Sequence, residues 1–389
     1  MKILFFYPEN PTLINQGNNS RANKLLQYFK SRNIDVDFVG ENAKNGFAKK
    51  HIDLLKQQKL INNGFLINPG RNKGLNYLFR DSIPNKFSKA RVLFGQVTHS
   101  KKKAFEAILK DNKYDYIIIS YVLYSNFINN KKLLKGAKTI VDTHDFFTAQ
   151  FFSPKIKLGS LFETEIALLN KFDTIWCISN EEQFVFSQFL PKKNIITVPH
   201  GVKYKGDIAN SNFPIDVFYI ASDNPHNIKS ATWFFSEVYP LLPNNINFTV
   251  VGRICDYIPD LHNVVKINFY EDIDSLYKQC KVTICPMLSG TGLKIKVVES
   301  LSHGKPVVCN ERGLDGLPYK VNNGCLTSNN KTEFANFIIE LLSNKTYYKI
   351  QTENAEKMFK NFLDEKVVFK NLDSFFLIDT HSTTLSIPN

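Results

Sequence analysis

Val282-Thr-Ile-Cys-Pro286 is an apolar run, and Ser289-Gly-Thr-Gly-Leu-Lys-Ile-Lys-Val-Val-Glu299 follows it almost at once. Ser-Leu-Ser-His-Gly-Lys-Pro-Val-Val308 then leads to a second apolar run. Strand, glycine-bearing turn, helix and strand in that order make the repeating unit of a parallel α/β sheet. Gly290 and Gly292 let the backbone approach a ligand closely, and the amides of a helix start favour an anion. Lys294 and Lys296 add point charges that suit a phosphate. Glu299 would repel a phosphate, but it suits sugar hydroxyls, as an acidic residue holds a ribose in dinucleotide folds. Phosphate and then ribose along one helix read as a nucleotide. A plain strand–loop–helix unit with a solvated basic turn is the alternative.

The same alternation of apolar runs and helix-length stretches extends along the chain of 389 residues, enough for two domains. Strands are expected at 2–7, 36–39, 116–120, 139–142, 174–178 and 195–198. A second series is expected at 217–220, 247–251, 264–267, 282–285, 306–308 and 324–325. Helices are expected at 229–242, 272–279, 294–303, 331–342 and 355–362. The polar stretch 203–212 separates the two series. The sequence therefore predicts an α/β protein of two Rossmann-like doubly wound domains facing across a cleft. One spans 1–203 and is completed by the segment 360–389; the other spans 204–359. Ligands of such sheets lie at the carboxyl ends of strands.

Hydrophobic residues at 43% and charged residues at 22% are those of a globular protein, and 33 Phe with 16 Tyr predict aromatic cores. No apolar run is long enough to span a bilayer, and residues 1–7 read as a buried first strand rather than a signal peptide. Six cysteines without Cys-x-x-Cys spacing read as reduced core residues of a cytoplasmic protein, and a zinc site is not expected. The net charge is +13, and residues 43–103 carry 14 Lys+Arg against 2 Asp+Glu. Mixed with aromatic and leucine residues, this segment suits an anionic membrane surface bound peripherally, or a polyanionic acceptor. A basic face that only aids solubility is the alternative. Nucleic acid fits less well, because the aromatics read as buried rather than arrayed for stacking.

Further landmarks recur in order. Lys2-Ile-Leu-Phe-Phe-Tyr-Pro8 precedes Gly17 and Ser20-Arg21-Ala-Asn-Lys-Leu-Leu26; Val141-Asp-Thr-His-Asp145 and Phe172-Asp-Thr-Ile-Trp-Cys-Ile-Ser179 follow. Ile195-Ile-Thr-Val-Pro-His-Gly-Val202, Asn224-Pro-His-Asn227 and Val250-Val-Gly-Arg253 complete the set. Together with the 289–299 segment, they resemble the GT-B-fold glycosyltransferases of group 1 (family 4-like), in the retaining, metal-independent branch that uses nucleotide-sugar donors. The resemblance covers nearly the whole chain. It implies a hexosyltransferase-like enzyme of surface polysaccharide or glycolipid assembly, with the donor as substrate and no separate cofactor.

Carried over by position, Glu299 matches the glutamate that holds the ribose, and Ser289, Gly290, Thr291, Gly292 and Leu293 match the diphosphate loop. Lys294 and Lys296 match basic positions that neutralise the leaving diphosphate, and His144 matches the histidine that reaches the donor sugar. Gly17 belongs to the acceptor loop with Arg21, read as an exposed helix residue or one facing the cleft. Lys229 and Arg253 are candidate phosphate contacts or solvated residues. Thr291 stands where the family carries its first glutamate, and that departure keeps open a non-catalytic partner subunit. Action on a nucleic acid or other polyanion through residues 43–103 is the other alternative. Asp272-Ile-Asp274 reads as a helix start, so no metal is expected.

Overall fold

The computed structural model describes residues 1–13, 17–43, 47–68, 93, 96–151, 157–206, 213–290 and 292–378. The chain divides into two compact units, Met1–Val198 and Pro199 onward. In the first, seven strands form one sheet: β1 (Lys2–Phe6), β2 (Asp35–Glu41), β3 (Asn63–Ile67), β4 (Tyr116–Ser120), β5 (Lys138–Asp142), β6 (Thr174–Cys177) and β7 (Asn194–Thr197). Their order is β3-β2-β1-β4-β5-β6-β7, and every pairing is parallel. The second unit has β8 (Ile215–Ile220), β9 (Phe248–Val251), β10 (Val264–Ile267), β11 (Cys280–Cys285), β12 (Val307–Cys309) and β13 (Cys325–Thr327). Its order, β10-β9-β8-β11-β12-β13, repeats the same winding, again all parallel. Both units are thus the expected doubly wound α/β sheets.

The central strands are buried on both faces, which is why they read as continuous apolar runs. The first core is aromatic: Phe105 stacks on Phe127 at 4.5 Å between ring centres, and Phe6 meets Phe127 edge-on at 4.9 Å. In the second, Phe234 lies against both Phe248 and Phe334. All six cysteines are free, and five are buried, as expected of core residues.

Three details depart from the sequence reading. Strand β3 was not anticipated. The helix placed at 229–242 begins earlier: Asn224 caps Pro225–Trp233 through the Asn227 amide, then a π turn covers Phe234–Val238. The unit division lies before position 199 rather than at 203, and the helix Glu365–Phe376 is grouped with the second unit. There Val202 exchanges backbone hydrogen bonds with Leu363 and Glu365. The end of the 360–389 segment, from 379, lies outside the described residues.

The second sheet is closed by a tight approach at Gly324, whose φ of +79° is left-handed and whose added Cβ would meet Ala355 Cβ at 2.4 Å. Gly136, also left-handed at +86°, would place a Cβ within 4 Å of no described atom. Gly136→Ala should therefore cost only the backbone strain, roughly 1–2 kcal/mol. Gly324→Ala should add a clash of about 1–3 kcal/mol. Urea unfolding of the two variants checks the difference, and equal losses would show that the helix Lys345–Phe362 does not press on this turn.

Candidate functional site

In both sheets the winding reverses beside the first strand, so loops leaving neighbouring strands diverge and leave a crevice at the carboxyl edge. In the second unit, the crevice lies between the chain leaving β8 and the chain leaving β11. The β11 loop is held from both sides. The Leu288 amide donates to Ser230 Oγ at 3.0 Å, Ser289 Oγ meets His226 Nδ1 at 2.9 Å, and the Met287 amide donates to Asn310 Oδ1 at 2.8 Å. Gly290 and Gly292 have φ of +98° and +75°, a conformation that side-chain-bearing residues rarely adopt. Leu293 packs into the cluster around Val297 and Leu317 and so anchors the loop. Thr291 lies outside the described residues.

The helix Ile295–Ser302 begins directly after this turn, with Lys294 at its cap position. The Lys294 ammonium is buried, donates to the Gly292 carbonyl at 2.7 Å and lies 3.8 Å from Asp315. The Lys296 ammonium donates to Asn227 Oδ1 at 3.0 Å, above the Tyr219 ring. Burial lowers the pKa of both lysines. An ammonium has three donors, so Lys296, which gives one to Asn227, can also turn to an anion at the loop. The loop and both lysines are therefore gathered on one edge.

Glu299 lies about one turn further along, partly buried. Burial pushes its carboxyl up to about 7; Lys205, the Tyr277 hydroxyl and Lys296 pull it down, and Asp274 adds to the rise. Tyr277 donates to the carboxylate at 3.4 Å. Lys205 in turn pairs with Asp274 at 2.6 Å, and the Lys205 and Gly206 amides donate to the Ser302 carbonyl. His303 stacks on Tyr277 at 4.7 Å between ring centres and lies 3.4 Å from Asp274. This ring of Lys205, Asp274, Tyr277 and His303 was not anticipated. Asp272 does cap its helix, as read, but Asp274 serves the ion pair.

Arg253 and Lys229 are not brought to the loop by any described contact. Arg253 follows β9, is 71% exposed and pairs with Asp223 at 2.9 Å, an ion pair worth under about 1 kcal/mol. Lys229 is exposed on the helix Pro225–Trp233.

In the first unit, the corresponding edge gathers Tyr7, Tyr121, Asp142 and His144 at the ends of β1, β4 and β5. His144 has φ of +60°, stacks on Tyr121 at 4.3 Å, and places Nε2 3.0 Å from Asp142. Arg21 is not an exposed helix residue: it is buried, and its guanidinium grips Asp142 with contacts of 2.5–3.1 Å. Burial alone would raise the Asp142 pKa, but Arg21 and His144 reverse it and hold the carboxyl well below the usual range. Removing Arg21 alone would strand a buried charge, at about 3–5 kcal/mol. Gly17 opens the helix Gly17–Ser31, next to residues outside the described set. Much of the basic 43–103 segment, from 69 to 92, is also outside it. Of the rest, Lys49, Lys50, Lys56 and Lys59 are exposed, whereas Lys101 is buried against Glu41 at 2.6 Å.

The Glu299 shift carries a pH signature. Its folded value of about 7 lies above the ordinary 4.5, so the folded protein holds the proton more tightly. The cost of ionising it is absent below about pH 4.5, grows as pH rises, and is complete above about 7. Glu299→Gln should gain stability over the parent by about 1–3 kcal/mol at pH 8 and by little at pH 5. Thermal unfolding at the two pH values checks this; a pH-independent difference would contradict the shift.

Residues 214–344 match the family model described as glycosyl transferases group 1. An uncharacterized 44.6 kDa protein in the cps region of Klebsiella pneumoniae is 23% identical over 291 residues, covering 67% of this chain and 74% of that protein. Among solved structures, Anabaena Alr3699/HepE in complex with UDP-glucose is 16% identical, with a TM-score of 0.66 over 97% of this chain and 99% of its own. Sucrose-phosphate synthase from Thermosynechococcus elongatus is 13% identical, with a TM-score of 0.69 over 97% and 98%. A Rickettsia africae glycosyltransferase is 14% identical, with a TM-score of 0.67 over 98% and 99%. The fold is the GT-B fold of these structures, and the stretch 214–344, which carries Glu299, is the part of the chain that matches the glycosyl transferases group 1 model.

Proposed function

We propose that the protein transfers a hexose from a nucleoside diphosphate sugar to a hydroxyl of a glycan or glycolipid, with retention and without a metal ion. The observation that carries this is the second-unit edge, where a left-handed glycine loop, two lysines and a helical carboxylate occupy one strand–turn–helix segment. The 289–293 amides with Lys294 and Lys296 would stabilise the leaving diphosphate, which is preorganised electrostatic catalysis. Glu299 would accept from the ribose hydroxyls. His144, fixed by Asp142 and Arg21, would donate to or accept from the transferred sugar. Retention rests on the resemblance to the retaining branch.

A donor of this class is supported by the group 1 family match and by the neighbour solved with UDP-glucose. A relative in a cps region agrees with a polysaccharide setting. Among the described residues, no helix is long and apolar enough to cross a membrane. The exposed lysines of the helix Lys49–Gln57 favour peripheral contact with an anionic surface on the cytoplasmic side.

Thermal shift against uridine, guanosine, adenosine, thymidine and cytidine diphosphates tests the reading. At 100 times its Kd, a bound nucleotide adds about 2.7 kcal/mol and raises Tm by several degrees. Glu299→Ala and Lys296→Ala should each weaken that nucleotide about 10- to 100-fold, the scale of a lost hydrogen bond to a charged group. No shift with any nucleotide, or one untouched by Glu299→Ala, would overturn the reading.

A further inference from the structure

A cavity of about 640 Å³ opens in the first unit, between the helices Gly17–Ser31 and Lys49–Gln57. Helices on one face of a sheet ordinarily close such a gap with interlocking apolar side chains. Here the facing sides carry amides and hydroxyls instead. Asn23, Gln27 and Ser31 form a stripe along the first helix, and Gln58 ends the second; Thr12 closes one end, and Leu54 and Leu60 supply the apolar patches. Among the described residues, no acidic side chain lines the cavity. The one lining cation among them, Lys30, donates to the Gln58 carbonyl at 2.8 Å.

Much of this polar stripe is arranged by its own bonds. Asn23 donates to the Pro11 carbonyl at 2.9 Å, and Gln27 donates to Asn23 Oδ1 at 2.7 Å. Among the described residues, the Gln58 side-chain amide makes no hydrogen bond and Gln27 uses only its NH2 group. The cavity therefore presents open amide donors and acceptors beside leucine surface, at a volume typical of ligand sites, about 300–1,000 Å³. Alternating hydroxyls and C–H faces are the chemistry of a neutral saccharide. An anion would find a single exposed lysine, one of whose three donors is already given to Gln58.

Position adds the second argument. Thr12 belongs to the chain leaving the carboxyl end of β1, and Asn23 is bonded to that same chain at Pro11. From there, the stripe runs eight residues along the helix to Ser31, roughly 12 Å. We propose that this groove holds the non-reacting sugar units of a neutral oligosaccharide acceptor, leading away from the edge where His144 stands. The inference rests on the glycosyltransferase reading and narrows its acceptor to a glycan of several units.

The test uses the full chain labelled with 15N in Asn and Gln side chains. Maltohexaose, cellohexaose and chitohexaose are titrated, with their monosaccharides and inorganic phosphate as controls. At least one hexasaccharide should shift the Gln27 and Gln58 amides, while its monosaccharide at equal sugar-unit concentration should not. The double variant Gln27→Ala/Gln58→Ala should bind that hexasaccharide at least tenfold more weakly and bind nucleoside diphosphate unchanged. The proposal is overturned if no hexasaccharide shifts these amides, if the double variant responds like the parent, or if phosphate alone moves them. Nucleotide binding without saccharide binding would sink the groove but not the transferase reading; the converse would sink the transferase reading and, with it, the acceptor role of the groove, leaving a saccharide site only.

Discussion

The parallel pairing of β11 with β8, in the register Val282 to Val217 and Thr283 to Phe218, is the constraint on which the candidate donor site depends. It sets side by side two strands whose following chains wind apart. The loop after β11 thus emerges next to the start of the helix Pro225–Trp233, where His226 and Ser230 hold Ser289 and Leu288. A slip of one residue would send the apolar side chains of β11 to the opposite face and break both contacts. The glycine conformations, the lysine positions and the placement of Glu299 all follow from that register.

The first unit solves a related problem with charge. Asp142 is fully buried at the end of β5, which is costly unless it is paired. Arg21 supplies the pair from a helix far away in sequence, and His144 completes it. The left-handed backbone at His144 and its stacking on Tyr121 then fix the ring at the carboxyl edge. Fold stability and candidate chemistry therefore share one hydrogen-bonded cluster, so substitutions there act on both.

The fold was legible because buried parallel strands write themselves as unbroken apolar runs; Tyr116–Ser120 and Val282–Cys285 needed nothing else. Strand β3 escaped because Asn63 and Gly64 open it and a basic segment surrounds it. Gly64 is needed there: a Cβ would strike Ile52 of the packed helix at 2.3 Å. The loop and Glu299 were legible because their logic is local, a glycine turn running into a helix. The partners of Arg21 and Lys205 were not, because Asp142 and Asp274 are brought to them only by the tertiary fold. The raised pKa of Glu299 is likewise a product of burial, which spacing does not encode.

A crystal structure of the full chain with a bound nucleoside diphosphate tests the central claim most directly. The account predicts the diphosphate against the amides of residues 289–293, with Lys294 and Lys296 turned toward it. The Glu299 carboxylate should lie within about 3.2 Å of a ribose hydroxyl. A nucleotide bound elsewhere, or one whose ribose stands clear of Glu299, would contradict it.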